Sequence, residues 1–310
     1  MSEVALIHTD SAKEGLEAIF AHYKDLFTSL HQKIVVIKPN FNTADPPPAS
    51  TDIQLLRRVI EHIKGNDPKK IIVAERAGPA NTYDTMRMKG LYQLQEEIRG
   101  FNIVDLSTLP EHEWIHIRPE GSHWRDGFLF PKLIKRADAF IALPCLKTHR
   151  FGGHFTLSLK LAVGLVPRHG YSYMKELHSS PRQRSMIAEI NQVFNSTLVI
   201  MDGMKAFIDG GPERGTLVSP NVMLASPDRI AIDAVGVAIL RDYGTTKEVS
   251  NGPIFEQEQI SRAVELGLGV NRPEKIEIRP LDTNSEEYAN KLHTILIGGE
   301  GSPMETLSVH

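Results

Sequence analysis

Short apolar runs alternate with amphipathic stretches along most of the chain, the order expected of strands and helices in an α/β domain. Residues 1–8 read as a first strand. Ile34, Val35, Val36 and Ile37 predict a second, which stops at Lys38-Pro39-Asn40 before a loop carrying Pro46, Pro47 and Pro48. A helix is expected from Thr51: Thr51 and Gln54 match a capping box, and Ile53, Leu56, Ile60 and Ile63 form one apolar stripe. Residues 70–75 predict the next strand, ending at Arg76; residues 85–98 predict a helix and 102–104 a weak strand.

Ala139 to Leu143 read as a strand, and residues 183–194 as a helix. A strand over 197–201 is expected to end at Asp202-Gly203, and another spans 221–224. Ser226 and Pro227 fit the N-cap and first-turn proline of a following helix, and residues 255–266 form a last one. No repeat or linker divides the chain. The expectation is therefore one α/β domain over residues 1–280, with a largely parallel sheet, helices on both faces and a basic insertion near 145–182. Residues 281–310 are weakly patterned and are expected to be a wrapping or mobile tail.

Composition changes this picture little. The 310 residues are 41% hydrophobic and 24% charged, the profile of an ordinary globular protein. No apolar run approaches the roughly 18 residues of a membrane span, and residues 1–8 lack a signal-peptide pattern. The single cysteine, Cys145, excludes an internal disulfide and an iron–sulfur cluster held wholly by cysteines of this chain. It suits a reducing compartment, so a cytoplasmic location is expected.

Charge is more informative. Residues 144–184 hold seven Lys or Arg against one acid, Glu176, whereas the whole chain is net −3. Such an island in an acidic protein marks a place where negative charge arrives. It begins at the end of the 139–143 strand, and ligands of parallel sheets sit outside the carboxyl ends of strands. Other strand ends bring Lys38 with Asn40, Glu75 with Arg76, and Asp202.

Lys38 precedes a proline, which holds it extended, as an anion clamp, a base or one half of a strand-end salt bridge. Thr156 and Lys160 share one side whether the stretch is strand or helix. Asp233 is the one polar side chain from Ile230 to Leu240, on a helix that must be buried, so its carboxylate requires a partner. A basic residue of the island, Lys38, or loop amides would serve. The turn around Gly210, Gly211 and Pro212 offers backbone amides to an anion. No GxxxxGK[ST], HExxH or GxSxG motif is present. His149, His154, His169 and His178 with Asp202 have no zinc-specific spacing, which leaves a divalent metal as an alternative.

Taken in order, these pieces resemble the family named domain of unknown function 362. They are Val36-Ile37-Lys38-Pro39-Asn40, Pro144-Cys145-Leu146-Lys147-Thr148-His149, Thr156 to Lys160 with Gly164, Met201-Asp202-Gly203, Gly210-Gly211-Pro212 with Gly215, and Asp228 to Asp233. The resemblance spans roughly residues 33–270. It implies an α/β fold whose polar residues gather in one site, and it leaves cofactor and reaction open. Some relatives carry an attached ferredoxin-like module, for which this chain lacks the cysteines. The family pattern usually has Asn where Leu161 follows Lys160.

The leading expectation is an enzyme acting on a small anion with carboxylate or phosphate groups. Lys38, His149 and Asp202 are the candidate catalytic residues. Asn40, Lys147, Arg150, Thr156, Lys160, Gly211 and Asp233 are the candidate binding residues, while Arg168, Lys175 and Arg182 read as surface charge. His149 and Asp202 are the residues to which a metal would be assigned. Replacing Lys38 or Lys160 by alanine is expected to abolish binding and leave the melting temperature nearly unchanged. An alternative, suggested by the relatives, is a redox component working with a separate ferredoxin. A nucleic-acid binder ranks below both, since aromatic residues are not interleaved with the basic ones. A homodimer is the default assembly.

Overall fold

In the computed structural model, which describes residues 1–168 and 172–298, the apolar runs form one mixed, mostly parallel sheet. The strands, in chain order, are β1 (Ser2–His8), β2 (Ile34–Pro39), β3 (Lys70–Glu75), β4 (Asn102–Asp105), β5 (Trp114–Ile117), β6 (Phe128–Pro131), β7 (Ala139–Leu143), β8 (Cys145–His149), β9 (His154–Thr156), β10 (Leu198–Phe207), β11 (Leu217–Val218), β12 (Val222–Ser226) and β13 (Ile276–Pro280). The main path runs β13-β1-β12-β10-β7-β2-β3-β4, with β12 antiparallel to both neighbours. β8 extends the sheet beside the end of β10 and pairs with β9 as a hairpin; β5 and β6 form a separate ribbon.

The period-two alternation of the strands assigns their faces. Val35, Ile37, Val73, Ile141 and Ile200 pack against the helices Ala12–His22 and Ile53–Lys64. Val36, Ile72, Phe140 and Val199 face the other way, toward the helices Gln183–Ile190 and Arg229–Asp242. The sheet is thus covered on both faces.

Several boundaries differ from the sequence expectation, each for a local reason. Asp52 caps the helix Ile53–Lys64, its carboxylate accepting from the N–H groups of Gln54 (2.6 Å) and Leu55 (3.1 Å). Such a cap contributes about 1 kcal/mol. Thr51 instead donates its hydroxyl to the Leu143 carbonyl (2.8 Å) and accepts from the Asn40 N–H (2.7 Å), tying the proline loop to the sheet. The helix expected over 85–98 is two, Thr82–Met88 and Leu91–Ile98, because Gly90 takes φ +79° between them. Asp228 rather than Ser226 caps the helix Arg229–Asp242; the Ser226 hydroxyl donates to the Glu3 carbonyl. β10 continues past Asp202 to Phe207.

The expected tail holds an element that its weak patterning does not suggest. Glu286–Leu296 is a helix whose Tyr288, Ala289, Leu292, Ile295 and Leu296 are buried against β13 and the helix Arg229–Asp242. Its apolar stripe has helical spacing, diluted by the polar residues between. The remainder of the tail, 299–310, lies outside the described residues, as does His169. No helix among the described residues is long and apolar enough to cross a membrane.

Candidate functional site

The carboxyl ends of β2 and β3, the β8–β9 hairpin and the short helix Ser158–Leu161 enclose a cavity of about 1150 Å³. Seven lysine and arginine side chains line it against two carboxylates, Glu75 and Glu213. The strand pattern delivers these groups: Lys38 continues the side of Val36, and Lys147 stands opposite Thr156 in the hairpin register. Asn40, Arg76, His149 and Lys160 complete the buried floor.

The buried cations differ in how they are held. Lys38 donates to a Glu75 carboxylate oxygen and to the Pro39 carbonyl (2.7 Å). Burial lowers the Lys38 pKa, while the Glu75 carboxylate pulls it back up. Glu75 also accepts from the N–H groups of Phe41 and Arg76, both at 2.7 Å, so it is fixed from three sides. Lys147 is completely buried and, among the described residues, donates only to a neutral carbonyl, that of Ala49. Burial lowers its pKa as well.

Among the described residues Lys160 has no compensating carboxylate. Burial, reinforced by the charges of Lys147 and then Arg76, brings its pKa down to about 7. His149 is held well below the ordinary imidazole value, first by burial and then by Lys160, His178 and Lys147. It is therefore neutral at pH 7. Burial takes Arg76 down to about 10. Its two terminal nitrogens donate to the carbonyls of Ala77 and Val163.

Buried polar atoms almost always find a partner. Here Asn40 Nδ2, Arg76 Nε, His149 Nδ1 and Thr156 Oγ1 find none among the described residues, and all four residues line this one cavity. An unpaired buried donor costs roughly 1–3 kcal/mol. That concentration of cost, together with two buried ammonium groups lacking a carboxylate, is what an anion would relieve.

Not every expected residue belongs to the cavity. Asp202 follows Ile200 onto the opposite face of the sheet, where it opens into a separate recess beside Pro46, Asp52 and Lys205. Burial raises its pKa to about 6, and its carboxylate accepts the Met204 N–H at 3.0 Å. His149 and Asp202 therefore do not converge on a metal. Among the described residues no three His, Cys, Asp or Glu side chains group to hold one.

Asp233 takes the loop-amide alternative. Its fully buried carboxylate accepts from Ser158 and Leu159, while burial pushes its pKa up to about 7. It is therefore a support for Lys160 and does not reach the cavity. Gly211 presents no free amide: its N–H donates to the Asp209 carbonyl (2.7 Å) and its carbonyl accepts the Arg150 N–H (3.1 Å). The Arg150 guanidinium lines the cavity but is engaged by Glu213 and by the Gly210 and Gly211 carbonyls.

Three cationic lining residues, Arg76, Arg168 and Arg184, are not singled out as site residues by the sequence. Arg76 was visible as a strand-end residue, but nothing local marked it above its neighbours. Arg168 reads as surface charge, yet it lines the cavity and donates to the Gly78 and Pro79 carbonyls across its rim. Lys175 and Arg182 are exposed and do not line it, although their neighbours Met174, Pro181 and Gln183 do.

The family model described as domain of unknown function (DUF362) matches residues 35–238, and the chain belongs to that family. None of the curated proteins matches it. Among solved structures, the lactate racemase apoprotein from Thermoanaerobacterium thermosaccharolyticum is similar at 18% identity and a TM-score of 0.44, over 74% of this chain and 55% of that one. A structural-genomics protein from Thermotoga maritima is similar at 9% identity and a TM-score of 0.47, over 76% of this chain and 58% of that one. This chain thus spans little more than half the length of either.

Proposed function

We propose that this member of the family is an enzyme that binds a small anionic molecule, bearing carboxylate or phosphate groups, on Lys147 and Lys160. The observation that carries the reading is the pairing of these two lysines, buried without a carboxylate, with unpartnered donors on Asn40, Arg76 and Thr156 around the same space. Uncompensated buried charge is unfavourable unless a counter-charge arrives. A bound anion would supply it and would raise the proton affinity of Lys160.

Proton transfer is the chemistry this arrangement favours. An ammonium with a pKa of about 7 gives and takes a proton near neutrality, where general acid–base catalysis is most effective. Neutral His149, with Nδ1 unengaged and Lys160 close by, would act as the acceptor. Lys38, neutralised by Glu75, would fix the floor of the cavity without adding net charge, while Asp233 would position Lys160 through Ser158.

Calorimetric titration with a panel of small carboxylates and phosphates, on the native chain and on Lys160→Ala, tests this. Loss of a hydrogen bond to a charged group costs roughly 1.5–3 kcal/mol, so about a tenfold to hundredfold weakening is expected with the fold intact. Unchanged affinity in Lys160→Ala would sink the reading.

A further inference from the structure

We propose that the anion this cavity receives is a phosphoryl group, carried by a phosphate monoester whose organic body lies along an apolar wall. The proposal rests on the anion-site reading above and narrows it to one substrate class.

The first argument is the geometry of the donors. A carboxylate is planar and is matched best by two parallel N–H groups of one guanidinium. At the floor that fork is unavailable. Both terminal nitrogens of Arg76 are engaged by the carbonyls of Ala77 and Val163, which leaves Nε alone. The Arg150 guanidinium is engaged by Gly210, Gly211 and Glu213. On the buried floor what remains is a set of single-point donors from separate elements: Lys147 on β8, Thr156 opposite it on β9, Lys160 on the following turn, Asn40 after β2 and Arg76 after β3, while the guanidinium of Arg168 lies at the exposed rim, with Nη1 engaged by the Gly78 and Pro79 carbonyls. Scattered point donors suit the three terminal oxygens of a phosphoryl group, which spread in three directions.

Charge gives the second argument. Lys38 and Glu75 neutralise each other, which leaves Lys147, Lys160 and Arg76 on the buried floor without a carboxylate of their own among the described residues. These three interact, since Lys160 feels the charges of both others. A monocarboxylate would leave most of this charge uncompensated. A phosphate monoester carries about −1.5 to −2 at pH 7, with a second pKa near 6, and matches it more closely.

Size gives the third. The cavity, at about 1150 Å³, far exceeds what an inorganic anion fills and lies just above the usual range for organic ligands. Beyond the cationic floor its wall includes Leu161, Val163, Met174 and Phe151, which would face an organic body.

The test is calorimetric titration of the full chain at neutral pH with phenyl phosphate, inorganic phosphate, phthalate and benzoate. Phthalate holds the net charge near that of the phosphate and removes the tetrahedral group. Phenyl phosphate is expected to bind about tenfold or more tighter than each of the other three. Its affinity is expected to fall about thirtyfold in Lys160→Gln and severalfold in Thr156→Val, a change that keeps side-chain shape and removes the hydroxyl. Phthalate binding as tightly as phenyl phosphate would overturn the phosphoryl assignment and leave the anion site standing. Inorganic phosphate binding as tightly would overturn the monoester. Failure of all four to bind would overturn this proposal and the reading beneath it.

Discussion

The carboxylate of Asp233 accepts both the backbone N–H of Ser158, at 2.8 Å, and its hydroxyl, at 2.5 Å, through a single oxygen. Its other oxygen accepts the Leu159 N–H at 3.0 Å, so one buried side chain fixes the start of the turn that carries Lys160. Asp233→Ala orphans these donors in a dry interior, at a cost of roughly 3 kcal/mol or more. Asp233→Asn keeps one acceptor oxygen but turns its NH2 toward the remaining donor, and is expected to lose about 1–3 kcal/mol, less than the alanine variant. Urea denaturation measures both. Full stability in the alanine variant would show that the turn holds itself.

The Lys38–Glu75 pair changes an expectation drawn from sequence. A free strand-end lysine can be removed at little cost to stability, but this one neutralises a buried carboxylate. Removing one partner of a buried ion pair costs about 3–5 kcal/mol. Lys38→Met and Glu75→Gln are each expected to lower the melting temperature clearly. The double variant, which leaves no lone charge, should lose less than the sum of the two. Strict additivity in that cycle would show that the pair is uncoupled.

How much of this was legible follows from the range over which each cause acts. The alternation in β2, β7 and β10 is local, so strands and faces could be read directly. Helix caps are local too, yet Thr51 against Asp52 is decided by what Thr51 does for Leu143, ninety-odd residues away. The isolated acid in an apolar helix announced that Asp233 needs a partner; that the partner is the amide of Ser158 requires the folded chain. Asp202 was misplaced for a related reason. Its parity with Ile200 was visible, but the face on which the cavity forms depends on where the β8–β9 hairpin folds. The depressed pKa of Lys160 comes from burial together with Lys147 and Arg76, which only the tertiary structure assembles.

The titration of Lys160 gives a pH dependence with a definite sign. Its pKa is about 7 in the native state and near the ordinary 10.5 when unfolded. Between these values the unfolded chain holds a proton that the native chain lacks, so the stability of the ligand-free protein rises with pH across that window. Lys38 and Lys147, also lowered by burial, act in the same direction. Anion affinity should do the opposite: it is highest below about pH 7 and falls above it, because binding then requires proton uptake. Titrations from pH 6 to 9 are expected to show the fall in the native chain and a flatter profile in Lys160→Ala.

Cys145 is expected to be inert. It is 2% exposed, and burial pushes its thiol up to about 11, against the pull of Lys147. The thiolate is the reactive form, so a disulfide reagent at neutral pH should label the native chain only as fast as it unfolds. Rapid stoichiometric labelling without loss of structure would contradict this burial.

The closest test of how the floor is packed is Gly153→Ala. A Cβ placed there would lie 2.7 Å from Lys160 Cε and 2.9 Å from His149 Nδ1, both inside ordinary contact distance. The backbone has little freedom to retreat, because the Gly153 carbonyl accepts from the Phe155 N–H (2.7 Å) and from Gln259 Nε2 (2.5 Å). The side chains must therefore give way. Lys160 is flexible and can swing, so the stability cost should stay near the low end of the roughly 1–3 kcal/mol of overpacking. Binding should suffer more, by about tenfold, since a small misplacement of an ammonium forfeits a charge-assisted hydrogen bond. A variant that binds anions as tightly as the native chain would mean that Lys160 and His149, neighbours across Gly153, do not share the same ligand.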